Sequence, residues 1–321
     1  MNIKIVSRTK HEIHKAVERF DNYRWSQKWR EVTKKGTGKT FYVIRRGHPN
    51  VGLFSYVTVA LGHIYHAIEI GAIPIIDMKN YENTYLDRAL LHKENAWEYF
   101  YEQPMGYRLE DICSEDTVIY SYGGPLEYTV NTRSIYDQRA FKEWRELYHK
   151  YIRINQECMD DMENLFKRLF ENVDMNKVLG VKLRGTDYIM TKPLHHPIQP
   201  TVSEAIPQIH TMMEKHDLKK IYLQTEDANI LTEMRDIFGD KLIVPESYWY
   251  NTDKKQLLTS ALQGNNDMRQ NGMEYLRDTY FLSQCQYLVA GLNGGSLAAC
   301  LMGNYKDSFI FNLGYYGETE T

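Results

Sequence analysis

The stretch that decides the fold is Val178-Leu-Gly-Val-Lys-Leu-Arg-Gly-Thr-Asp-Tyr188, an apolar segment that ends on an arginine and an aspartate. A second apolar segment, Ile221–Thr225, leads into an acidic pair, and a third, Tyr287–Gly291, opens into the turn Asn293-Gly-Gly-Ser296. Short apolar runs of this kind are typical of buried parallel strands, which present ligand-binding groups at their carboxyl ends. The three segments together indicate a site for a phosphate-bearing ligand with a polar ring, such as a nucleotide or a nucleotide-sugar.

Strand and helix patterns alternate on both sides of this stretch. The apolar runs predict strands at 40–44, 72–77, 117–121, 178–184, 219–225, 242–244, 286–290 and 308–311, and helices at 53–70, 202–215, 228–238, 273–283 and 296–302. Between Pro125 and Gly180 there is no Gly or Pro, and apolar residues recur at three- and four-residue steps, which predicts one long helix or two joined ones. The alternation predicts an α/β protein in which two Rossmann-like β/α domains, residues 1–172 and 173–321, face each other across a cleft.

Composition narrows the classes of function. A net charge of −3 over 321 residues provides no field that would attract nucleic acid. The four cysteines form no metal-type pairs, and Cys158 and Cys285 are predicted to be buried thiols, as in a reducing cytoplasm. The chain opens without a secretory segment and has no run of about 18 apolar residues, so we expect a soluble cytoplasmic protein. The basic, tryptophan-containing segment Arg24–Lys39 is either a peripheral contact for an anionic membrane or a solvated face with packed tryptophans.

Each polar group at the strand ends has a functional and a structural interpretation. The guanidinium of Arg184 matches phosphate oxygens, or it forms an ion pair with Asp187 that caps the strand. The turn Asn293-Gly-Gly-Ser296 offers backbone N–H groups and a helix N-terminus to an anion, and it is also a tight turn in which Ser296 caps the helix. The pair Glu226-Asp227 accepts hydrogen bonds from a ribose or a sugar, or it caps the helix that follows.

The second half of the chain resembles the catalytic domain of the GDP-fucose-dependent fucosyltransferases, especially the α-1,6-fucosyltransferases and the protein O-fucosyltransferases. The resemblance covers roughly 178–303. It is carried by three motifs and the small-residue loop that follows the last of them: Gly180-Val-Lys-Leu-Arg-Gly-Thr-Asp187, Lys219-Lys-Ile-Tyr-Leu-Gln-Thr-Glu-Asp227, Arg277-Asp-Thr-Tyr-Phe-Leu-Ser-Gln-Cys-Gln-Tyr-Leu-Val289 and Gly291-Leu-Asn-Gly-Gly-Ser296. In the first half, Asn50-Val-Gly52 is loosely similar to the glycine-asparagine loop that meets the nucleotide in this family.

The resemblance implies a role for each matching position. Arg184 would bind the β-phosphate of GDP, and Asp278 would read the edge of the guanine. The remaining contacts would come from the phosphate loop, the acidic pair and the first-half loop: Asn293, Gly294, Gly295, Ser296, Glu226, Asp227, Asn50 and Gly52. Four positions depart from the family pattern, because Gly185 replaces a second basic residue, Lys192 replaces an acidic one, and Asn293-Gly294 replaces a serine pair.

The family further implies a GT-B-like fold, inversion at the transferred carbon and no requirement for a metal or another cofactor. We therefore expect a glycosyltransferase of the bacterial surface-polysaccharide type, which moves fucose from GDP-fucose to a glycan or polysaccharide hydroxyl. Arg184 and Asp187 are its expected catalytic residues, and Asp187, Glu226 and His48 are candidates for the general base. The departures leave open transfer of another GDP-linked deoxysugar. The residues are also compatible with a non-catalytic nucleotide- or glycan-binding domain and with a phosphate-ester hydrolase.

Overall fold

The first sheet lies in the N-terminal half of the chain. The computed structural model describes residues 31–48, 51–185, 188–189, 192–247 and 268–318. Four strands pair in the order β1-β4-β2-β3, and their bounds are β1 Val32–Lys34, β2 Thr40–Ile44, β3 Ile73–Ile76 and β4 Thr117–Tyr120. The strands β2, β3 and β4 are mutually parallel, whereas β1 runs antiparallel to β4 at the edge. Helix α1 (Leu53–Glu69) follows β2, so the predicted β-α-β unit is confirmed.

The second sheet is wholly parallel and contains the three apolar segments that begin at Val178, Ile221 and Tyr287. Its strands pair in the order β7-β6-β5-β8-β9, and their bounds are β5 Val178–Lys182, β6 Lys220–Gln224, β7 Leu242–Ile243, β8 Tyr287–Gly291 and β9 Asp307–Phe311. Numbered from β5, this is the order 3-2-1-4-5 of a doubly wound fold. The direction of winding reverses between β5 and β8, and ligands bind outside the carboxyl ends of the two strands at such a point.

The remaining helices agree with the apolar periodicity of the sequence. Their bounds are α2 Gln138–Tyr151, α3 Gln156–Leu169, α4 Val202–Lys215, α5 Ala228–Phe238, α6 Met268–Gln284 and α7 Gly294–Met302. The Gly- and Pro-free span thus forms two joined helices, because the Asn155 side chain accepts from the Cys158 N–H at 2.9 Å and starts a new helix. None of the described helices is long and apolar enough to cross a bilayer. Cys158 and Cys285 are buried free thiols, as predicted.

Two buried apolar clusters hold the layers together. The smaller one packs α4 and α5 against one face of the second sheet. The larger one covers the other face and continues into α1, α2 and β2, so it joins the two sheets. The α/β class with parallel sheets is therefore confirmed. The division into domains 1–172 and 173–321 and the cleft between them stay predictions.

Several sequence expectations need correction or lie beyond the described residues. The edge strand β1 was not expected, α6 begins at Met268 rather than Met273, and α7 begins at Gly294 rather than Ser296. In the segment Arg24–Lys39, only the part from position 31 onward is described, and it includes β1.

His63 is a fully buried histidine in the middle of α1. Its Nδ1 lies 3.0 Å from the Tyr42 hydroxyl, and its Nε2 lies 2.8 Å from the Gly124 carbonyl oxygen. Since a carbonyl only accepts, Nε2 carries the proton and Nδ1 accepts from Tyr42. Burial lowers the pKa of His63 to about 4, so the ring is neutral in the folded protein.

The buried imidazole makes stability depend on pH. The ordinary pKa of 6.5 applies to the unfolded chain, which therefore binds more protons than the folded protein between pH 6.5 and 4. Stability should thus fall as the pH is lowered through this window, by about 2 kcal/mol from His63 between pH 7 and pH 5. Urea unfolding of the wild type and of His63→Gln at both pH values measures this share. Equal losses in the two proteins would contradict the assignment.

Candidate active site

Two cationic side chains at the carboxyl end of β5 lie on the same face of the second sheet. Side chains alternate along a strand, so Lys182 and Arg184 lie on one face while Leu183 packs into the smaller core on the other. Lys182 is 2% exposed, which is rare for a lysine and requires an ionic partner. That partner lies just after the neighbouring strand, β6.

Glu226 is the carboxylate that holds this part of the site together. Its Oε2 accepts from Lys182 Nζ at 3.2 Å, and its Oε1 accepts from the Gly185 N–H at 3.2 Å. The same Oε1 lies 3.9 Å from Arg184 Nε. One carboxylate therefore faces two cations and fixes the backbone that follows Arg184.

The charges of this cluster control the protonation of Glu226. Burial by itself would raise the pKa of Glu226, but Lys182 and Arg184 together hold that pKa below its ordinary value. Burial lowers the pKa of Lys182, and Glu226 opposes that change. A carboxylate with a lowered pKa is a weak proton acceptor at neutral pH, so the geometry favours Glu226 as an anchor for the cations over Glu226 as the general base.

Asp227 has a separate task from its neighbour. Its Oδ1 accepts from the N–H groups of Asn229 and Ile230 at 2.8 and 3.4 Å, and so it caps α5. A Cβ at position 185 would collide with the Asp227 carboxylate, which explains the glycine after Arg184. The absence of a side chain at position 185 therefore leaves room for the Asp227 carboxylate.

The turn before α7 is capped from within. Asn293 accepts from the N–H groups of Gly295 and Ser296 at 3.0 and 3.1 Å, and Ser296 Oγ accepts from the Asn293 N–H at 2.9 Å. Asn293 is therefore the N-cap, and the interpretation of Ser296 as the cap is wrong. Within the described part of the chain the Gly294 N–H has no acceptor, so it is the donor that this helix end still offers to an anion.

Tyr275 connects the two halves of the site. Its ring packs edge-on against Phe54 of α1, with 4.8 Å between the ring centroids. A Cβ on Gly295 would lie 2.7 Å from the Tyr275 hydroxyl and 3.4 Å from Lys182 Cε. A Cβ on Gly294 would lie 4.0 Å from the Phe54 Cβ. Helix α1 follows a strand of the first sheet, and α7 follows a strand of the second. Their N-termini thus meet beside Lys182, and both carry partial positive charge.

Asp278 lies one helical turn after Tyr275 on α6 and is 8% exposed. Its Oδ1 accepts from Arg277 Nε at 2.8 Å, and its Oδ2 accepts from Ser247 Oγ at 2.7 Å. Burial raises the pKa of Asp278, while Arg277 and Ser247 oppose that rise. Both oxygens keep lone pairs for a further donor.

The structure thus brings together most of the residues that the sequence singled out. Asn50 and Asp187 lie outside the described residues, Gly52 precedes the first turn of α1, and His48 is exposed. Sequence reasoning missed Lys182 and Tyr275. A signal existed for Lys182, since it is the one charge in an apolar strand and stands two residues before Arg184. Among the described residues, no three His, Cys, Asp or Glu side chains gather as they would around a metal ion.

The chemical character of the site follows from its charges. At the point where the winding of the second sheet reverses, Lys182 and Arg184 share one carboxylate, Glu226, and two helix N-termini add positive potential. This arrangement can bind an anion and stabilise negative charge that develops on it.

No family model matches this sequence, and no curated protein matches it either. Comparison of the fold gives a clear result. The chain is similar in fold to the fucosyltransferase NodZ from Bradyrhizobium. The TM-score is 0.51 at 16% identity, over 88% of this chain and 98% of NodZ. A NodZ α-1,6-fucosyltransferase structure co-crystallised with GDP gives a TM-score of 0.47 at 16% identity, over 83% of this chain and 93% of that one. POFUT1 in its apo form gives 0.48 at 8% identity, over 87% and 99%.

Proposed function

We propose that this protein is a glycosyltransferase that transfers fucose from GDP-fucose to a hydroxyl of a glycan or surface polysaccharide. The observation that carries the proposal is the pair of cations, Lys182 and Arg184, held by Glu226 at the reversal point of a doubly wound sheet. The similarity of the fold to the fucosyltransferase NodZ supports it. Arg184 is the proposed catalytic residue.

In the proposed reaction the acceptor hydroxyl oxygen attacks the sugar carbon on the face opposite the diphosphate. The bond from that carbon to the β-phosphate oxygen breaks, and its electron pair stays on the GDP that leaves. The guanidinium of Arg184 and the Gly294 N–H neutralise the new charge, and Glu226 holds the arginine loop in place. Attack from the opposite face inverts the configuration. These groups would neutralise the leaving diphosphate, which is the role of a metal ion in other transferases. The proposed reaction therefore uses no metal or other cofactor.

Asp278 is proposed to bind the base of the nucleotide. Guanine presents two adjacent donors, N1–H and the 2-amino group, and a carboxylate accepts from both. Asp278 is one turn from Tyr275, which contacts the Lys182 region, so the base and the diphosphate would lie along the same helix, α6. Uracil and cytosine do not offer this pair of donors, and neither does adenine.

The remaining assignments follow the sequence. Asp187 is the proposed general base, since the lowered pKa of Glu226 suits an anchoring role. The phosphate contacts are assigned to Asn293–Ser296, and Asn50 and Gly52 are assigned to the nucleotide from the first half. The acceptor is assigned to residues 1–172, and Arg24–Lys39 is proposed to contact the membrane surface of a cytoplasmic enzyme. Transfer of another GDP-linked deoxysugar is the nearest alternative.

A calorimetric panel tests this function. GDP is expected to bind about 10- to 100-fold more tightly than UDP, CDP or ADP, because the wrong bases leave Asp278 without its two donors. GDP-fucose and GDP-mannose are then compared as donors, and release of GDP is expected to require an acceptor. Equal binding of all four nucleotides would contradict the role of Asp278. Binding of GDP-fucose without acceptor-dependent release would indicate a non-catalytic domain.

A further inference from the structure

Arg46 is a largely buried cation at the carboxyl end of β2 that has no carboxylate partner among the described residues. Its Nη2 donates to Ser55 Oγ at 3.3 Å, and its buried Nε has no acceptor in the described part of the chain. Its backbone N–H donates to the Tyr81 hydroxyl at 3.0 Å. Burial lowers the pKa of Arg46, and only tyrosine hydroxyls oppose that change. Within the described ranges, the charge of this guanidinium is therefore left uncompensated.

The preceding residue, Arg45, lies at the same edge of the sheet and has hydrogen-bond acceptors for its guanidinium. Arg45 Nε donates to the Ser121 carbonyl oxygen at 3.0 Å, and its Nη2 also donates to that oxygen. Its guanidinium lies 5.1 Å from the Tyr120 ring centroid. Burying a charge without a partner costs several kcal/mol, so a protein that retains one gains something other than stability. Arg46 therefore suggests a missing anion, whereas Arg45 does not.

The position of Arg46 places that anion near the candidate active site. In the first sheet, β2 lies between β4 and β3, so the carboxyl end of β2 is the reversal point of that sheet. Ser55, which holds the guanidinium, is adjacent to Phe54, whose ring packs on Tyr275 and whose Cβ approaches Gly294. Arg46 therefore contacts the first turn of α1, and that same turn meets the N-terminus of α7.

We propose that Arg46 binds an oxyanion of a bound substrate, either the diphosphate of the nucleotide-sugar or an acidic group of the acceptor. This inference rests on the proposed function, because it takes the junction as the substrate site. A cavity of about 10 Å³ beside Arg45, Arg46, Tyr56 and Tyr81 holds at most one water molecule, so the oxyanion would meet the guanidinium outside this cavity. A planar guanidinium binds a phosphate or a carboxylate through two parallel hydrogen bonds.

The variant Arg46→Gln tests this proposal, with Arg45→Gln as the control of equal charge. The loss of charge-assisted hydrogen bonds is expected to weaken one substrate about 10- to 100-fold. Calorimetry with GDP and with guanosine detects the diphosphate as the source, since only GDP would weaken. A raised acceptor KM with unchanged GDP affinity identifies an acidic acceptor instead. The melting temperature of Arg46→Gln is expected to equal or exceed that of the wild type.

The outcomes separate this inference from the proposed function. A wild-type protein that binds GDP and transfers sugar, beside an Arg46→Gln variant with GDP affinity and acceptor KM within about twofold of it, overturns the inference alone. A lower melting temperature for Arg46→Gln would reveal a structural arginine and also overturn it. A wild-type protein that binds neither GDP nor any other nucleotide overturns the proposed function and, with it, this assignment.

Discussion

Replacing Arg184 with alanine is expected to lower the turnover of sugar transfer at least about 100-fold, the usual cost of losing one donor to a developing oxyanion. Arg184 sits where the second sheet reverses, beside a carboxylate that it shares with Lys182. Without its guanidinium, the departing diphosphate would keep the Gly294 N–H but lose the cation that neutralises it. The loss should be larger in kcat than in the affinity for the donor, because the charge grows in the transition state.

Steady-state kinetics of Arg184→Ala with GDP-fucose and an acceptor measures this effect. Arg139→Ala is the matched control, since Arg139 lies on α2 with 93% of its side chain exposed and its Nε lies 3.8 Å from the Glu143 carboxylate. Arg184→Lys should recover part of the activity, because an ammonium supplies charge without the planar fork. Near-normal transfer by Arg184→Ala would remove Arg184 from the active site.

Replacing Glu226 with alanine is expected to cost about 3–5 kcal/mol of folding stability, because it leaves Lys182 buried beside Arg184 without its ion-pair partner. Lys182 is 2% exposed, so solvent cannot take over the role of Glu226. The Gly185 N–H would lose its acceptor as well. Stability should be recovered in large part by adding Lys182→Met, which removes the buried charge and fills a similar volume.

Urea unfolding of the two single variants and the double variant measures this coupling as a double-mutant cycle. Lys182→Met alone should be milder than Glu226→Ala, since Glu226 keeps Arg184 and the Gly185 N–H as partners. The folded double variant should still transfer poorly, because Arg184 has lost the carboxylate that positions it. A cost below about 1 kcal/mol for Glu226→Ala, or a double variant no more stable than that single one, would contradict the ion-pair account.

Much of the fold was predictable because local signals agree with tertiary packing. The helices 202–215 and 228–238 occur at the predicted residues, since an apolar stripe coincides with the capping residues Thr201 and Asp227. The exposed edge strand β1 was missed, because its three residues, Val-Thr-Lys, bury nothing and only pairing with β4 defines them. The start of α7 was misplaced because an asparagine and a serine compete for the role of cap in adjacent turns.

The candidate site was predictable only in part, for a physical reason. Parallel strands deliver Arg184 and Glu226 to the same edge, so their proximity follows from the alternation of strands and helices alone. The burial of Lys182 depends on the packing of Tyr275 and Gly295 around it, which no local pattern specifies. The proximity of Arg46 to the candidate active site depends on how α1 packs against α7, which is a contact between distant segments of the chain.

The most direct test of the central claim is a crystal structure of this protein with GDP. We expect the β-phosphate to lie within hydrogen-bond distance of the Arg184 guanidinium and the Gly294 N–H, with the guanine edge on the Asp278 carboxylate. A structure in which GDP binds away from Arg184, or in which this site stays empty at saturating GDP, would contradict the account.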